Sequence, residues 1–308
     1  IRMIEIHRYT AAYHRDWNDF VSESSNGTFL FLREYMEYHA DRFTDYSLLV
    51  YDGNKLLALL PANRSGDVLY SHAGLTYGGL IVTTRNTTAQ VLEIMRSIAD
   101  FLKKERFVKW VYKCIPHIYH RYPSESDLYA LFRLEARLMG RNISSTVQLD
   151  NPIRLRADRR SRKKAEQAGL RVVETTDFSP FWKVLDANLQ ERFHVKPVHS
   201  LDEIELLHSR FPDRIRHFVT MRGDETLAGS VIYDTGIVAH AQYTSASAEG
   251  KASGALDLLY ARLIGEVFAD RKWFDFGQST EDMGHYLNEG LIAQKEGFGE
   301  GLLMIYTR

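Results

Sequence analysis

His217-Phe-Val-Thr-Met221, Arg222-Gly223-Asp224, Leu227-Ala-Gly-Ser-Val-Ile-Tyr233, Asp234-Thr235-Gly236 and Ile237-Val-Ala-His-Ala241 read in order as three strands joined by two tight turns. Gly and Asp supply the backbone angles that hairpin turns demand, while the β-branched and aromatic residues between them suit a pleated, half-buried surface. About 170 residues earlier the same text runs Tyr46-Ser-Leu-Leu-Val-Tyr51, Asp52-Gly53-Asn54, Leu56-Leu-Ala-Leu-Leu60, Arg64-Ser65-Gly66-Asp67 and Val68-Leu-Tyr70. The chain therefore contains two meanders.

The agreement extends outward. Upstream of each meander stands a short strand, Ile4-Glu-Ile-His-Arg8 or Leu170-Arg-Val-Val-Glu174, and a helix carrying Trp17 and Phe20 or Trp182 and Leu185. Downstream lies an amphipathic helix, with Val91, Ile94, Met95, Ile98 and Leu102 in one copy and Leu256, Leu259, Leu263 and Val267 in the other. Spacings of three and four put these residues on one helical face. Each helix leads into a Lys-Trp strand, Lys109-Trp110 or Lys272-Trp273. The repeated order is strand, two helices, meander, helix, strand, helix, strand. A meander followed by a crossover helix predicts a mixed sheet, so the expected fold is α/β with two tandem domains. Asn151-Pro152 breaks the pattern, and the expected domains cover 1–150 and 169–308 with a basic linker or helix over 151–168.

With 44% hydrophobic residues, 308 residues suffice for two buried cores. Lys and Arg (39) balance Asp and Glu (40), so any affinity for a polyanion has to be local. A lone cysteine, Cys114, forbids an internal disulfide and fits a reducing compartment. No run reaches the roughly 18 apolar residues of a membrane helix, and the expected setting is cytoplasmic without membrane insertion.

Several stretches combine the residue types that binding requires. Between Arg154 and Lys164 stand seven basic residues, of which Arg160 and Lys163 are candidate contacts to donor phosphates; a solvated helix face is the competing reading. Ser247, Gly250, Ala252 and Gly254 lie in a small-residue loop entering a helix, where backbone N–H groups can meet an anion, or simply start the helix. In the first copy the glycines at 74, 78 and 79 flank His72 and Tyr77, and His117 and Tyr119 follow the Lys-Trp strand. These four are candidate substrate contacts, against a packing role. His117 and His120 find no third ligand nearby, so no metal is expected.

The text from Trp273-Phe-Asp275-Phe-Gly277 through Glu281, His285 and Gln294-Lys295-Glu-Gly297-Phe298-Gly299 resembles the FemAB-like family. Asn26-Gly27-Thr28-Phe29 and the segment from His72 to Gly79 are similar to that family as well. The resemblance implies tandem GNAT-like domains and transfer of an acyl or aminoacyl group to an amino group of an envelope precursor, such as an amino sugar or peptidoglycan peptide. It also implies that Lys295 stabilises negative charge in the reaction. Asp275, Glu281 and His285 are candidates to assist the amine, with Tyr243 near the acyl group. No Ser-His-Asp or Cys-His arrangement stands out, which favours direct attack by the amine. Both acyl-CoA and aminoacyl-tRNA remain open as donors: Ser247 stands where a GNAT coenzyme A loop has Gln or Arg, and Gln294 stands where the family has an aromatic. A catalytically silent sugar- or peptide-binding protein on the same fold is the alternative.

Overall fold

The computed structural model describes residues 4–150, 159–298 and 301–307. The chain forms two compact units. One runs to Asn142 and takes in Asp282–His285 and the chain from Met304; the other comprises Ile143–Glu281 and Tyr286–Leu303, so that β8 (Gly140–Gln148) and β16 (Gly301–Thr307) each belong in part to both.

The first unit holds, in chain order, β1 (Ile4–Arg8), α1 (His14–Glu23), α2 (Arg33–Met36), β2 (Thr44–Asp45), β3 (Leu48–Asp52), β4 (Lys55–Leu60), β5 (Asn63–Ser65), β6 (Val68–Tyr70), α3 (Thr88–Lys104), β7 (Lys109–Val111) and α4 (Ser126–Arg133). Strands pair in the orders β1-β3-β4 and β2-β5-β6-β7, the last pair being parallel. Pro61 lies between β4 and β5; lacking an N–H, it interrupts the ladder there. Helix α3 begins where the Thr87 hydroxyl accepts from Gln90 N, and it ends on Lys103 and Lys104, which complement the helix dipole. Its stripe of Val91, Ile94, Met95, Ile98 and Leu102 is buried against Leu48, Val50 and Leu60. Each such side chain contributes about 1.5–3 kcal/mol of burial energy.

The second unit holds β8 (Gly140–Gln148, from Ile143 onward), α5 (Arg159–Gln167), β9 (Arg171–Glu174), α6 (Ser179–Phe193), α7 (Leu201–Arg210), β10 (Ile215–Arg222), β11 (Glu225–Asp234), β12 (Val238–Ala246), α8 (Ala248–Ser253), α9 (Ala255–Arg262), β13 (Trp273–Gln278), β14 (Thr280–Glu281), β15 (Tyr286–Leu287), α10 (Glu289–Glu296) and β16 (Gly301–Thr307). Seven strands form one mixed sheet in the order β16-β8-β13-β12-β11-β10-β9. Strand β8 pairs antiparallel with β13, through Trp273↔Gln148 and Asp275↔Thr146. That pairing draws the division between units to Asn142, ahead of the boundary expected near 150. Of the expected linker, 151–158 lie outside the described residues, and the remainder begins as α5, seated by the buried Ala165 on Ala255 and Leu258 of α9.

The first hairpins of the two meanders, β3–β4 and β10–β11, match in register, although β6 pairs with β5 in a second sheet where β12 pairs directly with β11. In the first, Val50 pairs with Ala58 and Tyr51 with Leu56, so Leu57 is an extra residue. In the second, Thr220 pairs with Ala228 and Met221 with Thr226, so Leu227 is the extra residue. One bulge thus recurs at the same place, and β6‖β7 repeats β12‖β13.

Candidate active site

Strands β12 and β13 pair in parallel at Val238↔Trp273, Ala239↔Phe274 and His240↔Asp275, and the pairing stops there although β12 continues to Ala246 and β13 to Gln278. Both carry an irregularity just beyond. Gln242 is an extra residue of β12 against β11, and the β13–β8 register shifts between Asp275 and Gln278, where Gly277 has φ +77°. Bulges bend a strand and increase its twist, so a pair of them opens the sheet into a wedge. His240 and Asp275 stand at its apex.

The Asp275 carboxylate is buried and accepts three hydrogen bonds: from Ser144 Oγ at 2.5 Å, from His240 Nδ1 at 2.9 Å and from Gly277 N at 2.9 Å. With Nδ1 donating, Nε2 is the basic nitrogen of His240. Lys295, on α10, donates to the carbonyls of Gly277 and Gln278, each at 2.8 Å, and so ties the helix to the end of β13. Burial lowers its pKa to about 8, and the nearby Asp275 charge opposes that fall. The ammonium remains the main form at neutral pH and carries three N–H donors, of which two are used among the described residues. Gln242 Oε1, Ser145 Oγ and Ser279 Oγ, adjoining these residues in the chain, are buried without a hydrogen-bond partner among the described residues.

Sequence reasoning singled out Asp275 and Lys295 but passed over His240 and Ser144. The available signal was a lone imidazole in the apolar run Ile237-Val-Ala-His-Ala241. Tyr243 is buried on β12, where its hydroxyl lies 2.5 Å from His199 Nδ1 and 3.2 Å from His199 N, with Trp182 packed edge-on. Glu281 is exposed on the β14–β15 hairpin and accepts from Asn288 Nδ2 at 3.3 Å. His285 is exposed in the turn of that hairpin, its backbone N–H bound to Asp282 O.

The small-residue loop after β12 is folded as the helical turn α8. Ser247 is its N-cap, accepting from Gly250 N at 3.0 Å, and Lys251 N donates to Ser247 O. A Cβ on Gly250 would lie 2.1 Å from Leu227 O, so glycine is required by contact with β11. Gly254, left-handed at φ +75°, closes α8 and opens α9. The carbonyl of Ala252 accepts from Lys164 Nζ at 3.0 Å. Lys163 is exposed on α5, and Arg160 falls on its first turn, where side chains lie outside the described residues.

In the first unit, three of the four proposed substrate contacts are core residues. His72 is buried and stacks on His39; burial, then the His39 charge, lowers its pKa to about 3, which keeps the ring neutral. Tyr77 is buried, its hydroxyl 3.0 Å from Thr28 Oγ1, and packs against the buried Tyr119. His117 is exposed. Among the described residues no group of His, Cys, Asp or Glu is arranged to hold a metal.

Residues 154–286 match the family described as "Acetyltransferase (GNAT) domain". That segment is a GNAT-type acyltransferase domain. The acyltransferase shares its fold with the structure titled "Crystal structure of FemX", at 12% identity and a TM-score of 0.64 over 98% of this chain and 96% of that one. It is also similar to the C-terminal domain (DUF2156) of a putative lysylphosphatidylglycerol synthetase from Agrobacterium fabrum, at 12% identity and TM-score 0.61, covering 97% and 92%. L-PGS from Bacillus licheniformis follows at 13% identity and TM-score 0.59, covering 95% and 90%. No curated protein matches the sequence. Among the described residues of the acyltransferase no helix is long and apolar enough to cross a membrane.

Proposed function

We propose that the acyltransferase joins an acyl or aminoacyl group to an amino group of an envelope precursor, and that the reaction centre is the wedge between β12 and β13. The observation that carries this reading is the buried Asp275, which holds His240 at the apex while Lys295 closes the end of β13. Attack by the amine forms a C–N bond and a tetrahedral oxyanion. The amine proton passes to His240 Nε2, and Asp275 stabilises the resulting imidazolium. The third N–H of Lys295 offers charge to the oxyanion. Collapse breaks the carbonyl bond to the leaving group, which takes the proton back.

The donor reads better as an aminoacyl ester than as acyl-CoA. The α8 turn occupies the place of the coenzyme A loop, and its Gly250 and Lys251 N–H groups bond to Ser247. Helix α5 packs against α8 and α9 and leaves Lys163 exposed, which suits phosphate contacts, and Arg160 is proposed to join it. That the structure titled as a lysylphosphatidylglycerol synthetase shares this fold supports an amino acid as the group moved and an envelope acceptor.

Mass spectrometry of full-chain reactions tests this directly, with acetyl-CoA and a set of charged tRNAs as donors and amino sugars, peptidoglycan peptides and phosphatidylglycerol as acceptors. The reading requires a product with a charged tRNA that Lys295→Ala slows. Product from acetyl-CoA alone would reverse the donor assignment. Binding of an acceptor without product from any donor would favour a silent binding protein.

A further inference from the structure

A groove of about 400 Å³ opens in the first unit beside α1, the β3–β4 turn and the segment from Thr83 to Gln90. Register places it at the counterpart of the donor loop. Leu57 and Leu227 are the extra residues of the same bulge, and Leu57 O accepts from Asn86 Nδ2 at 3.1 Å where Leu227 O accepts from Ser247 N at 2.8 Å. In the second unit the turn α8 follows at this point; in the first, the chain enters α3 from Thr87 and the groove stays open.

The lining has opposite charges. Helix α1 contributes Asp16, Asp19 and Glu23; Lys55 and Arg85 come from the β4 start and the Thr83–Gln90 segment. Asp19 is paired with Arg15 at 3.5 Å and Arg85 with Glu23 at 3.6 Å, whereas Asp16 and Lys55 have no ion pair among the described residues. A separate observation concerns Gln90, which is only 9% exposed. Its Oε1 accepts from Asn86 Nδ2 at 3.3 Å, and its amide nitrogen has no acceptor among the described residues although it borders the groove. An amide donor on the groove wall with no acceptor from the protein can give its hydrogen bond to a ligand oxygen. Tyr51 and Phe20 add apolar surface. A pyrophosphate would meet Asp16 and Asp19, and a simple cation would meet Lys55 and Arg85; a molecule bearing both charges satisfies the lining.

We propose that this groove binds a free α-amino acid, its ammonium toward Asp16 and its carboxylate toward Lys55 and the Gln90 amide. The site is distinct from the wedge of the second unit and does not depend on the reaction assigned there.

Titration calorimetry of the full chain with each of the standard L-amino acids tests the proposal. At least one is expected to bind with Kd below about 1 mM, while its N-acetyl derivative and its decarboxylated amine bind at least about tenfold more weakly. Gln90→Met and Asp16→Asn should each weaken binding about tenfold, and Asp100→Asn, on the exposed middle of α3, should leave it unchanged. Side-chain amide NMR of the wild type gives a reading that needs no variant: the Gln90 NH2 resonances shift on binding. Failure of every amino acid to bind below 1 mM, equal binding of the blocked derivatives, or binding that leaves the Gln90 resonances unmoved overturns the proposal.

Discussion

The same parallel strand pair ends differently in the two units. Aligning Lys109-Trp110 with Lys272-Trp273 sets Tyr112 opposite Asp275 and Ser71 opposite His240. In the second unit these positions hold a buried carboxylate and an imidazole at the apex of an open wedge. In the first, the Tyr112 hydroxyl accepts from Leu80 N at 2.6 Å and donates to Asp127 at 2.6 Å, and Lys113 N donates to Ser71 Oγ. Between Ser71 and Ile81, which rejoins Leu59 of β4, the chain makes an excursion where the second unit simply continues β12. A Cβ on Gly78 would lie 1.6 Å from Ser71 O, so the excursion is packed into its own strand end. One copy of the fold has turned its strand ends into core; the other leaves them as the open wedge proposed to hold the reaction.

Substitutions at matched positions should separate along that line. Asp275→Asn removes the acceptor that orients His240, and turnover should fall about 10³-fold, equivalent to about 4 kcal/mol, in steady-state kinetics while the protein stays folded. Gly78→Ala should instead destabilise the first unit by about 3 kcal/mol in denaturant unfolding, because backbone has to move to admit the methyl group. Lys295→Ala should cost about 10²-fold in kcat, near 2.7 kcal/mol. Its pH dependence sharpens the test. Burial brings Lys295 down to about 8, so the ammonium is lost as pH rises through 8 and kcat should fall on that alkaline limb; Lys295→Arg, which stays charged, should abolish the limb. Smallest is Tyr112→Phe, expected to lower stability by about 2 kcal/mol in thermal unfolding without altering kcat per folded molecule. Comparable loss of turnover in Tyr112→Phe and Asp275→Asn would erase the distinction between the units.

Local text carried the fold because alternation, turn residues and the Lys-Trp ends are sequence-near signals. The second meander and α3 stand where their patterns placed them, whereas the first meander divides at Pro61: Arg64 and Ser65, read as turn, belong to β5, which pairs with β6 in a separate sheet. Pairing is a different matter. His240 meets Asp275 across 35 positions only because two parallel strands share a register, and Ser144 reaches the same carboxylate from 131 positions away. Strand β8 joined the second sheet for the same kind of reason, which no local pattern announces. The glycine-rich segment from His72 to Gly79 shows the converse: glycine permits close approach to a ligand or to the chain itself, and here the contact is with Ser71. Ser247 likewise became a helix cap, a role its side chain fills as readily as any contact to a donor.

Single-turnover transfer by His240→Ala, with and without added imidazole, tests the assignment of the wedge most directly. The rate should drop at least about 10²-fold and recover in part as imidazole enters the space left at the apex. A rate within about threefold of wild type, less than about 1 kcal/mol of transition-state stabilisation, would remove His240 from the chemistry and the wedge apex with it.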